Sequence, residues 1–596
     1  MNPKKYELSE KLVGSLGDVL ASAQTAYNAG DCERAEKILQ QVLELHPQIS
    51  AAWKLRGLNA FKQGHLTESS NYLHQSLSLA PDDAGTLFYL ANASLRDLDC
   101  AQAIRLYERS IDLKPDVPEA HNNLSTALRL AGRPSDAVVA ARQATQLKQS
   151  YGEAKNNLGL AFCDLRRYPE AINCFEKAIE INPNNLEALN NLGVALDAKG
   201  EMEKSLIVFE RALTLSPQNV DAKINLGNVF RKIGQLDDAA ALFSEVLDEN
   251  PADLRAQANL GLVLLNKNKP ADAIVRYKKA LAHTPNSPDI QMSLGIAQLL
   301  LGDFEAGWQN YEARWLAPSF AIKRRSFNSQ LWTGQPLKGK SILVYAEQGF
   351  GDTIQFVPYA PIIAKQASEV ILECQRDLLR ICSNLEGVSE VIARGEFLPE
   401  TDFHIPLMSL PHQMGTRLEN LPLAERYLTP SISATQRFHD QLESTKTSIG
   451  LVWSGNPERQ DDRMRSCPPE ALIPLLGLDS YEFVSLQVGT SAGDLPSDIL
   501  DFGAECRDFA DTAAAIEALD LIITVDTATA HLAGALSKDV WVMLGHHADW
   551  RYLMNRTDSP WYPSMRLYRQ QKIGDWEGVV GEILDDLNSG IRIART

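Results

Sequence analysis

Small, aromatic and proline positions return along the first half of the chain with a period of 34 residues. Gly57, Gly159, Gly193, Gly227, Gly261 and Gly295 share one register, with Ala91 and Ser125 between them. Small residues recur at Ala35, Ser69, Ala103, Ala137, Ala171, Ser205, Ala239 and Ala273, and rings at Tyr107, Phe175, Phe209, Phe243, Tyr277 and Tyr311. Prolines recur at Pro47, Pro81, Pro115, Pro183, Pro217, Pro251 and Pro285, interrupted by Gln149. A fixed period of this length predicts stacked helical hairpins. The small residues let paired helices approach, and the ring fills the groove against the next unit. The proline, lacking an N–H, closes the second helix. Nine hairpins are expected, from about Leu16 to Ala321.

After Lys340 the pattern changes to short apolar runs separated by helical stretches. Runs at 341–345, 370–373 and 402–407 read as strands, with a helix from Thr353 to Lys365. A second series follows: strands at 449–453, 483–486, 521–525 and 540–544, helices at 512–519 and 527–537. Strand and helix in alternation predict a doubly wound α/β architecture, and two such halves predict two lobes with a cleft. The expected organisation is an arm (1–15), an all-α solenoid (16–321), a connector (322–340), a first lobe (341–433), a linker (434–448) and a second lobe (449–596).

The four repeating positions together resemble the tetratricopeptide repeat. One residue before the Leu-Gly pair of successive hairpins stands asparagine, at Asn123, Asn157, Asn191, Asn225 and Asn259. An amide offers both a donor and an acceptor, as a peptide unit requires. The row resembles the asparagine ladder inside the superhelix of eukaryotic O-linked N-acetylglucosamine transferases, which implies that these residues hold an acceptor protein's backbone. Alternatively each Asn bonds a neighbouring repeat's backbone and stiffens the stack. Leu55, Tyr89 and Ser293 replace it elsewhere, so a ladder would cover the middle hairpins, and Leu55 and Tyr89 could start an apolar contact zone. The aromatic ninth unit, with Phe304, Trp308, Tyr311 and Trp315, reads as a cap that buries its outer face.

With 596 residues the chain exceeds one core. No apolar run reaches the roughly 20 residues that span a bilayer, and the N-terminus lacks a secretion signal's apolar stretch, so the expected location is cytoplasmic. The eight cysteines show no C-x-x-C spacing. Cys163 and Cys174 read as packed apolar residues rather than a bridge. A net charge of −18 argues against nucleic acid as partner.

Three blocks stand at carboxyl ends of predicted strands, where α/β sheets bind ligands. In Glu347-Gln348-Gly349-Phe350-Gly351-Asp352, Gly349 and Gly351 let the backbone come close to a ligand, and Asp352 could take a proton from an attacking hydroxyl. Asp352 could instead be the N-cap of a helix starting at Thr353. Ile354 stands where a third glycine would complete the dinucleotide fingerprint, so a dehydrogenase is not supported. In Asp526-Thr527-Ala528-Thr529-Ala530-His531, a helix N-terminus follows a buried strand and forms an anion site. The alternative there is a capping Asp526 and a packed His531. In Trp453-Ser454-Gly455-Asn456, followed by Arg463 and Arg465, small residues and mobile cations would suit phosphate groups. Adjacent His546 and His547 on one strand point to opposite faces, and no metal is expected.

The second half of the chain, from about Lys340 to Leu584, resembles the two-lobed (GT-B) glycosyltransferases of the heptosyltransferase-like family. The resemblance is carried by Gly351-Asp352 and by Asp526-Thr527-Ala528-Thr529-Ala530-His531. It implies that Asp352 is the general base, that Asp526, Thr527 and His531 contact a nucleotide sugar, and that no cofactor is required. Ala528 replaces the family's glycine, and its usual lysine after the Trp-Ser segment has no evident counterpart. Solenoid and body together resemble bacterial flagellin-modifying glycosyltransferases, which transfer a nonulosonic acid such as pseudaminic acid from a cytidine-monophosphate sugar. That implies Ser/Thr O-glycosylation of a captured protein. A lipopolysaccharide sugar transferase and a non-catalytic scaffold are the competing readings.

Overall fold

The computed structural model describes residues 16–320, 322, 324–422, 426–443, 445–455, 462–489 and 499–590, with the Arg463 side chain left out. The predicted arm (1–15) therefore lies outside the described residues. Two compact units divide the chain, one through Ile233 and one from Gly234.

Among its described residues the first unit holds thirteen helices of 13 or 14 residues, from Leu16–Asn28 to Val220–Lys232. The 34-residue positions make its core. Ala35, Ala103, Ala137 and Ala171 are fully buried, as are Tyr107, Phe175 and Phe209. The ring sits against the glycine of its own hairpin. A Cβ on Gly159 would stand 2.5 Å from the Phe175 ring, and one on Gly193 2.5 Å from Phe209. Such a gap admits only a hydrogen, which is why glycine recurs there. Each second helix stops two residues ahead of the proline register, as at Leu45 and Ile181. Cys163 and Cys174 are free thiols.

The second unit opens with helices Leu236–Glu249, Leu254–Asn266, Pro270–His283, Pro288–Leu300 and Phe304–Tyr311, which bring the sequence of hairpins to nine. Two sheets of parallel strands follow. The first contains β1 (Gln330–Leu331), β2 (Ser341–Tyr345), β3 (Glu369–Cys374), β4 (Glu390–Ala393) and β5 (Phe403–Pro406), in the order β1-β5-β2-β3-β4. The second contains β6 (Thr447–Val452), β7 (Tyr481–Ser485), β8 (Leu500–Asp501), β9 (Leu521–Val525), β10 (Val540–Leu544) and β11 (Met565–Arg569), in the order β11-β10-β9-β6-β7-β8. Within this body α1 is Phe350–Phe356, α2 Phe509–Ala518, α3 Ala528–Ala535 and α4 Trp576–Asn588.

Several boundaries differ from the expectation. The stretch 322–340, expected as connector, contains β1, which pairs in register with β5 through Gln330 and Phe403. The stretch 434–448, expected as linker, holds most of a helix, Ile432–His439, and the start of β6. The helix expected over 353–365 begins at Phe350 and breaks before a second piece, Tyr359–Ala364. Pro358, which has no N–H for the helical ladder, stands at the break.

The ninth hairpin is a cap, as its aromatic content suggests. Trp308 is buried against Phe356 of α1 and Trp550, with ring centroids 6.0 and 5.2 Å away. Just beyond, Arg314 is fully buried and donates to Ser409 Oγ at 2.8 Å and to Glu347 Oε1 at 3.3 Å. Glu347 follows β2 and Ser409 follows β5, the two strands between which the strand order of the first sheet reverses. Arg314 thus fills the crevice where an α/β sheet ordinarily takes a ligand.

Candidate functional site

In the second sheet the order reverses between β6 and β9, and the segments leaving those strands meet. Gln487 holds the first of them: its Oε1 accepts from the Trp453 and Ser454 amides at 3.2 and 3.0 Å. Its Nε2 donates to the Ser454 carbonyl at 3.1 Å. A Cβ on Gly455 would lie 3.9 Å from Thr527 Cγ2, so the Trp453 and Asp526 blocks line one crevice. Asn456 and the Arg463 side chain lie outside the described residues.

Thr527 caps α3 in extended conformation, and its own side chain makes no capping bond to that helix. Residues 526–529 are partly exposed, so the helix tip is open to a ligand. The Thr527 hydroxyl lies 3.2 Å from that of Thr524. Asp526 is committed: its carboxylate accepts from Tyr552 Oη at 2.8 Å and from Arg465 Nη2 at 2.9 Å.

The glycine block of the first lobe faces this tip. A Cβ on Gly351 would stand 2.9 Å from His531 Cδ2 and 3.6 Å from Ala528 Cα. Gly351 therefore lets α1 and α3 approach each other, in addition to any approach to a ligand. Gly349, at the N-terminus of α1, is exposed. Asp352 is not the N-cap of a helix starting at Thr353. It lies in the first turn of α1 and reaches back to accept the Gly349 amide at 2.8 Å.

The partner of Asp352 comes from the other lobe. Arg551 Nη2 donates to its Oδ1, while Nη1 donates to Asp549 Oδ1 and Nε to Gln355 Oε1, both at 2.7 Å. The guanidinium also lies 4.5 Å from the Trp550 ring centroid. Consecutive residues Arg551 and Tyr552 thus tie together the two carboxylates singled out in the sequence, Asp352 and Asp526. Leu553, next along, has φ 50° and ψ −173°, a strained backbone for a residue with a side chain.

Burial alone would lower the affinity of Arg551 for its proton, but Asp549 and Asp352 outweigh it and hold the group above its usual range. His531 is buried, with Nδ1 3.2 Å from Tyr562 Oη. Its pKa falls to about 4, first from burial and then from Arg551, so the imidazole is neutral at pH 7. Glu347 rises to about 7, because burial outweighs the pull of Arg314.

Arg551 and Tyr552 carry the site's wiring, yet sequence reading passed over them. The signal available in the sequence is their position just after β10, at the same sheet end as the three blocks. His546 is held by structure: its carbonyl accepts from Asn268 Nδ2 at 2.7 Å.

The asparagine row is partly buried at all five positions. Asn123 donates to Asn92 Oδ1 at 2.9 Å, Asn157 to Asn122 Oδ1 at 2.8 Å and Asn191 to Asn156 Oδ1 at 3.0 Å. Each of these three bonds a side chain of the preceding hairpin, not its backbone. Asn225 and Asn259 make no such bond among the described residues.

Models of the tetratricopeptide repeat match residues 20–84, 88–151, 186–219, 224–277 and 259–317, and a TPR repeat model matches 159–200. Protein FlbA of Caulobacter vibrioides is 25% identical over 314 residues, covering 48% of this chain and 52% of FlbA. The chain thus spans about half the length of that curated relative. Among solved structures, a tetratricopeptide repeat protein from Parabacteroides merdae is similar over 44% of this chain and 98% of its own, at 16% identity and a TM-score of 0.37. The APC/C hetero-tetramer Cut9–Hcn1 is similar over 48% and 57%, at 21% identity and a TM-score of 0.36. Among the described residues no helix is long and apolar enough to cross a membrane. The chain carries tetratricopeptide repeats through its N-terminal half, which imply that it binds a protein partner.

Proposed function

We propose that the α/β body is a glycosyltransferase of the two-lobed kind, and that the repeats bring it a protein acceptor. A Ser or Thr hydroxyl of the acceptor attacks the anomeric carbon of a nucleotide sugar, Asp352 takes the proton, and the nucleotide leaves with both electrons of the broken C–O bond. Free amides at the tip of α3 and nearby arginines stabilise the leaving phosphate. Capture by the repeats raises the acceptor's effective concentration at the cleft. One observation carries this reading: the strand ends of two parallel sheets confront each other, with the carboxylate of Asp352 and the half-exposed tip at Thr527 on opposing helices. The finer reading, a nonulosonic acid moved to a flagellin, rests on the family resemblance.

Purified protein incubated with a panel of cytidine, uridine, guanosine and adenosine nucleotide sugars is expected to release nucleotide, and Asp352→Ala to abolish it. Absence of both release and nucleotide binding across the panel overturns the reading. A second reading, a scaffold without catalysis, is favoured by the commitment of both carboxylates to arginines. The same assay decides between them.

A further inference from the structure

We propose that Arg551 is a latch between base and donor: it holds Asp352 until a phosphate group at the α3 tip draws the guanidinium away, and that transfer frees the carboxylate. The inference rests on the sugar-transfer reading and specifies how its two ends communicate.

Three observations converge on Arg551. It bridges the lobes, since its Nη2 reaches Asp352 on α1 while its own segment follows β10. Its neighbour Tyr552 is bonded to Asp526, the residue immediately before the α3 cap, so the guanidinium is anchored beside the anion site. It also keeps a second carboxylate, Asp549, at 2.7 Å. Moving off Asp352 would therefore leave it paired and neutralised, whereas a lone buried arginine could not let go of its only counter-ion.

The chemistry requires such a move. A carboxylate oxygen that already accepts from a guanidinium has that lone pair occupied and cannot take the hydroxyl proton there. After transfer, Asp352 keeps the Gly349 amide and its Oδ1 is open to the acceptor hydroxyl. The phosphate gains a charge-assisted bond of the kind arginine makes to planar or tetrahedral oxyanions. No base is then exposed before a donor is seated, which limits wasteful attack by water.

The test uses the full chain and two probes, inorganic phosphate and cytidine monophosphate, titrated by calorimetry. Asp352→Asn removes the competitor for Arg551, so the latch requires this variant to bind cytidine monophosphate more tightly, by about tenfold, or about 1.4 kcal/mol. Arg551→Gln should weaken binding by a similar factor and Arg551→Lys should restore part of it. Trp550 stacks under the guanidinium, so its emission should change when phosphate binds wild type, and this change should vanish in Trp550→Phe. Thermal melting checks that each variant folds. Normal nucleotide binding that Asp352→Asn leaves unchanged or weakens overturns the latch alone. Failure of wild type to bind any nucleotide overturns the sugar-transfer reading beneath it.

Discussion

In the first unit, polar groups are satisfied by repetition. Asn157 and Asn191 make the same bond to the same kind of partner 35 residues back, and Phe175 and Phe209 each pack on the glycine of their own hairpin. In the α/β body every buried charge belongs to an arrangement that occurs once. Arg314 joins residues up to 95 apart in sequence, and Arg551 joins residues up to 199 apart. Damage in a repeat array stays near the altered repeat, because stability is a sum of nearest-neighbour terms. Damage in a unique network strands a charge with no substitute partner. The two regions should therefore fail differently, and the molecule supplies a way to see it. Eight of its nine tryptophans lie beyond Ile233, so their fluorescence reports the second unit while helical circular dichroism weights the first.

The largest effect is expected from Arg314→Ala, which leaves the buried Glu347 and the partly exposed Glu312 without their cation. A loss of about 3–5 kcal/mol is typical when one partner of such a pair is removed. Urea unfolding followed by tryptophan emission should shift its midpoint by that amount, and a shift below about 1 kcal/mol would erase the contrast between the regions.

A pH titration comes next. His531 has a folded pKa of about 4 against about 6.5 in the unfolded chain, so the folded form resists protonation. Stability from this group is complete above about pH 6.5 and declines as pH falls towards 4, by roughly 3 kcal/mol at most. Glu347, raised to about 7, acts with the opposite sign between about pH 4.5 and 7. The informative quantity is thus the difference between wild type and His531→Gln, which should shrink on acidification. A difference that is flat from pH 7 to 5 would place the ring in a far wetter setting than its burial indicates.

Gly193→Ala should cost about 1–3 kcal/mol, since the new methyl meets the buried Phe209 ring at 2.5 Å. The loss should appear in circular dichroism and leave the tryptophan transition in place. Movement of both transitions together would show that the regions unfold as one. The smallest change belongs to Asn191→Ala, at about 1 kcal/mol for one hydrogen bond. If the row also grips an acceptor backbone, the triple change of Asn157, Asn191 and Asn225 weakens acceptor capture by more than its stability cost explains. Equal losses in both measurements would assign the row to stacking alone.

The hairpins were legible because their code is local and periodic: small, ring and proline positions each recur at 34, and each reports a contact within a hairpin or the next. The strands of the body were legible where buried runs are long, as at β9 and β10, whose residues are all buried. Short β1 and β8, of two residues each, leave no periodic trace, and β11, Met-Arg-Leu-Tyr-Arg, breaks its apolar run with two partly exposed arginines. The site was half legible. Glycine and acid at a strand's carboxyl end advertise themselves, so Asp352, Asp526 and Thr527 could be placed. Their partners could not, because nothing in the neighbourhood of Arg551 or Arg314 records a carboxylate some two hundred or thirty-three positions away.

The guanidinium seated between the first lobe's central strands sets where the chain can be cut. A fragment beginning at Ser341 would discard the Trp308 wedge together with the cation that neutralises Glu347, leaving an open apolar socket and an acid with no counter-ion. The smallest portable body is expected to begin ahead of Pro288, so anyone grafting it onto a different recruiting arm should carry the final hairpin along as part of it.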